Sequence, residues 1–172
     1  MMSNTLIVYA FRHETEEQSV KRLFKLLDGK VDICNIYLRR STPDLDKYET
    51  IIIGGSVRYD DIQREIYRFC EDNLDELLTK RIGLFVSFLY PGNKGDEQIE
   101  SSFPKALTDV AIAKECFGEA INEKELNFWE RFITKYFIKK EELAVKLSEE
   151  KIDRFAREIS GCDDCEGKNS AD

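Results

Sequence analysis

The sequence has few of the residue types and segments that mark several functional classes of protein. Among its 172 residues there are one histidine, three prolines and one tryptophan. Its longest apolar runs, such as TIIIGGSV and GLFVSFLY, are far shorter than the roughly 20 residues of a membrane-spanning helix. The first residues, MMSNT, have neither the basic segment nor the apolar segment of a secretory signal. We therefore expect a cytoplasmic protein with no membrane-spanning segment.

Positive charge is also scarce. The sequence has 26 Lys and Arg against 34 Asp and Glu, a formal net charge of −8. Proteins that bind nucleic acid without sequence preference rely on an excess of basic side chains at the phosphates. We therefore predict no nucleic-acid partner. An acidic surface favours solubility, and it also suits docking to a basic redox partner protein.

Cysteine is present without the pattern of a disulfide scaffold. Because no secretory signal accompanies the five cysteines, structural disulfides are not expected. Cys34, Cys70 and Cys116 lie in apolar patterned segments and are predicted to be small core residues. Cys162 and Cys165 form a single C-x-x-C, which lacks a second pair to complete a metal site. A thiol redox or metal centre at this pair is a third, weaker hypothesis.

Strand-like and helix-like segments alternate from end to end. Buried strands are predicted at 5–11, 31–37, 50–57, 81–90 and 113–121. Helical patterns are predicted after the first strand (Val20, Leu23, Phe24, Leu27) and over Ile62–Leu78. A third helix is predicted from a cap at Ser102, with Pro104 in its first turn, to Val110. Two more are predicted over 126–140 and 148–159, and the last of them ends at Gly161. Residues 41–49 are predicted to be a turn or short helix. This alternation predicts an α/β fold with a five-stranded parallel sheet covered on both faces.

Right-handed crossovers favour the strand order 2-1-3-4-5 in a doubly wound sheet. Residues 1–161 are then one domain, and 162–172 form a polar, flexible tail. Ligands of such sheets bind at the carboxyl ends of the strands where the order reverses, here between the first and third strands. The loops that reach this crevice are predicted at 11–17, 54–61 and 88–96.

Residue types in the second and third loops suit a flat, charged ligand. Gly54-Gly55 is predicted to form a turn at the end of the third strand that lets a ligand approach the backbone. Arg58 suits an anion and Tyr59 a stacked ring, while Phe88 and Tyr90 suit an opposite wall. An ordinary strand-to-helix turn with surface aromatic residues is the alternative interpretation.

Three stretches carry a resemblance to a known family. TLIVYAF, YETIIIGGSVRYDDIQREIYRF and NFWERFITKYFI with KIDRFAREI resemble flavodoxin-like proteins, over roughly residues 5 to 160 of this chain. Within that family they resemble the FMN- and quinone-dependent protoporphyrinogen dehydrogenases. The resemblance implies a three-layer flavodoxin-like fold and FMN, with the phosphate on the first loop and the ring between the other two. The cofactor-binding residues that it implies are Arg12, His13, Glu14, Thr15, Glu16, Ser56, Val57, Arg58, Tyr59, Ser87, Phe88, Leu89, Tyr90, Gly92 and Asn93.

The first loop departs from the family pattern. The family uses hydroxyls and glycine to bind the phosphate, and those positions hold Ala10, Phe11, Glu14 and Glu16 here. Glutamates at the start of a helix suit the helix dipole, but they repel a phosphate that needs the same amides. Thr15 keeps one hydroxyl, and Arg12 and His13 are the residues that could pair with the anion.

Two functions follow, and both remain open. The first is an FMN-binding redox protein, either an electron carrier or an oxidoreductase linked to protoporphyrinogen or a quinone, with the flavin carrying the electrons. The second is a flavodoxin-like module that has lost FMN and serves as a binding or interaction protein. The acidic first loop supports the second.

The segment 126–140 has an aromatic face and a basic end. Its apolar positions are Leu126, Trp129, Phe132, Ile133, Tyr136 and Phe137. One interpretation is a helix that makes peripheral membrane contact and meets a quinone. The other is an ordinary helix that covers the sheet.

Overall fold

Strands and helices alternate along the chain in the computed structural model, which describes residues 4–12, 14–39, 42–58, 61–88, 95–118 and 148–161. The strands are β1 (Asn4–Tyr9), β2 (Lys30–Asn35), β3 (Thr50–Arg58), β4 (Asp61–Ile62), β5 (Arg81–Phe88) and β6 (Ala113–Cys116). The helices are α1 (Glu14–Leu26), α2 (Arg64–Asp72), α3 (Leu74–Leu77), α4 (Gly95–Ser102), α5 (Lys105–Val110) and α6 (Glu149–Ser160), with a short 3-10 turn at Leu45–Lys47.

Five of the strands form the predicted parallel sheet. Their order is β2-β1-β3-β5-β6, which confirms the doubly wound topology, and β4 adds a short antiparallel pair to β3. After β2 the chain crosses over β1 to build the other half of the sheet. The strand order therefore reverses between β1 and β3, as expected from the sequence.

Two apolar layers cover the two faces of the sheet. On one face, α1 and α6 pack through Leu23, Ile152 and Phe155 against Ile7 and Ile52. On the other, α2, α4 and α5 pack through residues such as Ile66, Ile99 and Leu107. Because β-strand side chains alternate between faces, each central strand contributes to both layers. This explains why these strands are apolar at nearly every position.

Helix α6 begins and ends where the sequence predicts. The Ser148 hydroxyl accepts a hydrogen bond from the Lys151 backbone N–H at 3.3 Å, which caps the first turn. Gly161 has φ of 70° and closes the last turn in the left-handed region. A bidentate pair joins the helix to α1, since Arg22 Nε and Nη2 lie 2.9 and 3.0 Å from the Asp153 carboxylate. The last helix is therefore firmly placed on the sheet.

The predicted Gly-Gly turn is wrong. Gly54 and Gly55 lie inside β3, which continues to Arg58 and turns back to pair with β4. A Cβ at Gly54 would lie 2.0 Å from Phe85 Cζ, so the glycine provides room for a ring rather than a turn. The predicted loop 54–61 is thus mostly the β3–β4 hairpin.

Other boundaries also differ from prediction. The strands predicted at 5–11, 31–37 and 113–121 end two to five residues earlier, at Tyr9, Asn35 and Cys116, and the strand predicted at 81–90 is described as far as Phe88. The single helix predicted over Ile62–Leu78 is two helices, because Asn73 leaves the helical region and its side chain bonds back to the Phe69 carbonyl at 2.7 Å. Ser102 is the last residue of α4, and Pro104 precedes α5 instead of lying in its first turn.

The described cysteines behave as core residues. Cys34, Cys70 and Cys116 are buried, and none of the three forms a disulfide. Burial raises the pKa of the Cys70 thiol to about 12 and that of Cys34 above its usual value, so both stay protonated at neutral pH. The segment 126–140 and the C-x-x-C lie outside the described residues. No helix among the described residues is long and apolar enough to cross a membrane.

Candidate functional site

The crevice lies at the carboxyl ends of β1, β3 and β5. Ala10 and Phe11 continue from β1, and β3 extends beyond its partner β1 toward Arg58. Ser56 and Ser87 are register partners on β3 and β5 at this level. Parallel strands place their carboxyl ends at one edge of the sheet, so these residues meet at the topological switch point.

Gln63 joins the two strands that border the crevice. Its Nε2 donates to the Ala10 carbonyl at 2.5 Å, and its Oε1 accepts from the Ser56 backbone N–H at 3.0 Å. The Gln63 backbone N–H also donates to the Ser56 carbonyl at 3.2 Å. One side chain thus occupies backbone groups at the ends of both β1 and β3. Those groups are already hydrogen-bonded before any ligand arrives.

A carboxylate lies at the base of the first loop. Glu17, in the first turn of α1, accepts from the Tyr9 hydroxyl at 3.1 Å and from Asn35 Nδ2 at 3.3 Å. Asn35 Nδ2 also donates to the Phe11 carbonyl at 3.0 Å. The cluster ties the end of β1, the end of β2 and the start of α1 together around one negative charge. That charge interacts favourably with the N-terminal end of the helix dipole.

Arg12 is the one cation described in the first loop, and its guanidinium contacts both Tyr37 and Glu65. Its guanidinium carbon lies 4.5 Å from the centre of the Tyr37 ring, beyond β2. Its Nη2 lies 3.5 Å from Glu65 Oε1 on α2. Both side chains of the ion pair are well exposed, so the pair contributes little by itself, but stacking on the aromatic ring adds to it.

Aromatic side chains fill the sheet face beneath the loop. Phe11 is 1% exposed and lies 5.3 Å from the Tyr9 ring and 6.2 Å from the Phe85 ring. Phe85 stacks on Phe117 with their ring centres 4.7 Å apart, and both contact Phe155. Phe11 is therefore a core residue that holds the loop down onto the sheet.

Ser87 carries an unsatisfied polar atom near the crevice. Its hydroxyl is fully buried and has no hydrogen-bond partner within the described ranges. Burying a hydroxyl without a partner costs roughly 1–3 kcal/mol. It lies one residue before the end of β5, on the strand beside Ser56. A ligand polar group could satisfy this hydroxyl only if the atoms that cover it move.

The structure brings only part of the predicted site together. Ser56 and Ser87 lie side by side and are buried, and the Val57 side chain packs in the core beneath α2. Backbone positions alone are described for five residues: Glu14, Thr15 and Glu16 in α1, Arg58 in β3 and Phe88 in β5. His13, Tyr59, Leu89, Tyr90, Gly92 and Asn93 lie outside the described residues. A ligand-binding role for these residues stays a prediction.

Two residues of the crevice have no local sequence signal. Gln63 stands between a short strand and a helix, and its contacts with Ala10 and Ser56 span 53 and 7 residues. Asn35 ends a strand and acts on a loop 24 residues earlier. Neither contact follows the regular spacing of a helix or a strand. Glu17 was visible only as one of several glutamates in an acidic run.

Tyr9 gives this cluster a measurable signature. Burial, followed by the negative charge of Glu17, raises the pKa of Tyr9 from 10.0 to about 12. Ultraviolet titration of tyrosinate should show a late step near pH 12 that disappears in Tyr9→Phe. The variant should lose about 1–2 kcal/mol of unfolding free energy at neutral pH, because a bond to a carboxylate is removed.

The pH dependence has a definite sign. Because the folded pKa of Tyr9 lies above the unfolded value, its stabilisation is complete below pH 10 and is lost as pH rises toward 12. Urea unfolding should therefore show the gap between the wild type and Tyr9→Phe closing over that interval. A gap that stays constant would contradict the assignment of the late step to Tyr9.

Fold and crevice together define a doubly wound α/β protein with a ligand edge between β1 and β3. The family model described as "Flavodoxin domain" matches residues 6–145. The match covers most of the chain, which therefore belongs to the flavodoxin domain family. No curated protein matches the sequence.

Solved flavodoxins share this fold at low sequence identity. Oxidised flavodoxin 1 from Bacillus cereus is 16% identical with a TM-score of 0.56, and the alignment covers 94% of this chain and 100% of that one. A short-chain flavodoxin associated with a non-canonical PDU bacterial microcompartment is 16% identical with a TM-score of 0.57, covering 93% and 98%. Fusobacterium nucleatum flavodoxin bound to flavin mononucleotide is 16% identical with a TM-score of 0.51, covering 93% and 98%. These similarities show the fold.

The described residues fit a flavin unevenly. At the β5 side, the buried Ser87 hydroxyl needs a partner that a flavin ring could supply. At the β1 side, the residues do not fit a phosphate dianion. Glu17 places a carboxylate at the base of the first loop, and the Arg12 guanidinium already contacts Tyr37 and Glu65.

Proposed function

We propose that this protein is a redox protein of the flavodoxin type that binds the ring of a flavin at the carboxyl ends of β1, β3 and β5. The observation that supports this most strongly is the family match over residues 6–145, which runs through all six strands. In a doubly wound sheet of this order, the crevice between β1 and β3 is the site that the topology provides for a ligand.

Residues of this chain would position the ring. The Ser87 hydroxyl can donate a hydrogen bond to a polar atom of the ring or accept one from it. The aromatic layer of Phe11, Phe85 and Phe117 below gives that edge a rigid, water-excluding floor. When bound, a flavin supplies one- or two-electron transfer, while the protein sets its orientation and electrostatic surroundings.

The electron partner is a finer part of the proposal. The net charge of −8 favours a partner protein with a basic docking surface. The resemblance to protoporphyrinogen dehydrogenases favours a quinone or a porphyrinogen instead, with peripheral membrane contact through residues 126–140. Reduction of a soluble quinone by the flavin-loaded protein would distinguish these partners.

The first experiment is an absorption spectrum of freshly purified protein, followed by flavin titration. We expect a flavin spectrum, or quenching of flavin fluorescence to saturation at micromolar protein. Ser87→Ala should weaken binding about tenfold, because one ring contact of about 1.4 kcal/mol is lost. Ser102→Ala is the matched control, since Ser102 is also a buried serine without a described partner but lies at the end of α4.

A second candidate is a flavodoxin-fold binding module without a flavin. Gln63 favours it, because its side chain already satisfies backbone groups on both sides of the crevice. Under this alternative, the purified protein is colourless and neither FMN nor riboflavin binds under oxidising or reducing conditions. That result would reject the flavin proposal.

A further inference from the structure

We propose that the crevice recognises a flavin by its ring and selects against a 5′-phosphate, so that riboflavin binds at least as tightly as FMN. This inference rests on the proposed flavin function and concerns the same site. It follows from the contacts at the start of α1, where the first loop meets the sheet.

The negative charge of Glu17 is fixed in place. Its Oε1 is held by both the Tyr9 hydroxyl and Asn35 Nδ2, and these donors are themselves anchored at the ends of β1 and β2. The carboxylate lies in the first turn of α1, at the helix end that would otherwise attract an anion. A phosphate placed there meets a like charge that cannot turn away, so its binding is opposed.

The backbone of α1 places two more glutamates in the same turn. Helix α1 begins at Glu14, so Glu14 and Glu16 occupy the first turn together with Glu17. This turn carries the amides on which a phosphate would depend. Three of the first four positions of the helix are therefore acidic in sequence.

Arg12 does not compensate for this charge. To reach a phosphate it would have to leave both Glu65, at 3.5 Å, and the face of Tyr37, at 4.5 Å. Those two partners lie on α2 and beyond β2, at opposite flanks of the crevice. The guanidinium is thus used to connect the two halves of the sheet.

Phe11 places an apolar side chain where the loop meets the sheet. A side chain at this position supplies a hydroxyl in the family pattern, whereas Phe11 is buried against Tyr9 and Phe85. The Phe11 carbonyl accepts a hydrogen bond from Asn35 and the Ala10 carbonyl accepts one from Gln63, so the backbone of this segment is held in place. The loop is thus tied to the protein itself, while Ser87 at the ring side keeps an unused hydroxyl.

The deciding experiment compares riboflavin and FMN by fluorescence quenching and calorimetry on the full chain. We expect the dissociation constant of riboflavin to be equal to that of FMN or lower. Raising the salt concentration should strengthen FMN binding, because repulsion is screened, and should leave riboflavin unchanged. If FMN binds ten times more tightly than riboflavin, this inference is wrong and the flavin function stands. If neither binds, the flavin function itself fails.

Charge variants locate the effect. Glu17→Gln keeps an acceptor for Tyr9 and should tighten FMN about fivefold while changing riboflavin less than twofold. Glu71→Gln removes the same charge from an exposed position at the far end of α2, and it should change neither ligand. If Arg12→Gln weakens FMN tenfold and spares riboflavin, Arg12 binds the phosphate and the inference is overturned.

Discussion

Replacing Gly54 by alanine is expected to destabilise the protein by about 3 kcal/mol or more. An added Cβ would lie 2.0 to 2.3 Å from three ring atoms of Phe85, the register partner of Gly54 on β5. The ring cannot move aside easily, because it is fully buried and contacts Phe11, Phe117 and Phe155. Urea unfolding measures the loss, and the melting temperature should fall by about 10 °C.

Two further variants show whether crowding is the cause. Gly83→Ala also adds a methyl in the sheet, where it would lie 2.5 Å from Ile159 Cδ1 and 2.9 Å from Phe155 Cζ; because these contacts are longer than those at Gly54, it should cost less. The double variant Gly54→Ala, Phe85→Leu should lose at least 1 kcal/mol less unfolding free energy than the two single variants lose together. Strict additivity would contradict the crowding explanation.

Truncation of Phe155 to alanine is expected to cost about 3–5 kcal/mol. This α6 side chain is fully buried, and its ring meets Phe117 edge-on at 5.4 Å and Phe85 edge-on at 6.2 Å. Removing it leaves a cavity between α6 and the sheet and weakens the support under Phe85. Chemical unfolding with two probes, tryptophan fluorescence and circular dichroism, measures the change.

Phe24→Ala is the matched control for that change. Phe24 lies on α1, but its side chain is 43% exposed, so the same truncation removes little buried surface. Alanine is also a better helix former, and we expect a loss of less than about 1 kcal/mol. Equal losses at Phe24 and Phe155 would mean that α6 is not packed on the sheet as described.

The site was harder to predict than the fold. Loop 11–17 was placed at the crevice from topology alone, since a doubly wound sheet leaves one switch point. The roles of its residues do not follow from topology. Glu17 is held by a hydrogen bond from Asn35, 18 positions later, and the Ala10 carbonyl by one from Gln63, 53 positions later. Such contacts have no periodicity in the chain.

Glycine was the residue most easily misinterpreted. Gly54-Gly55 in sequence is typical of a turn. Inside β3 the pair serves two packing contacts instead, with Phe85 on one face and with Ile62 and Ile66 on the other. Whether such a pair forms a turn or lies inside a strand depends on a large side chain of a neighbouring element, which the local sequence does not show.

The sequence by itself determined the class of fold, the strand order and the edge at which a ligand would lie. It could do so because buried strands, amphipathic helices and crossover handedness are set by local pattern and chirality. The tertiary structure alone decided what that edge offers. It shows a fixed carboxylate at Glu17, a cation at Arg12 that contacts Tyr37 and Glu65, and a bridging amide at Gln63. Side chains distant in sequence meet there only after the sheet has formed.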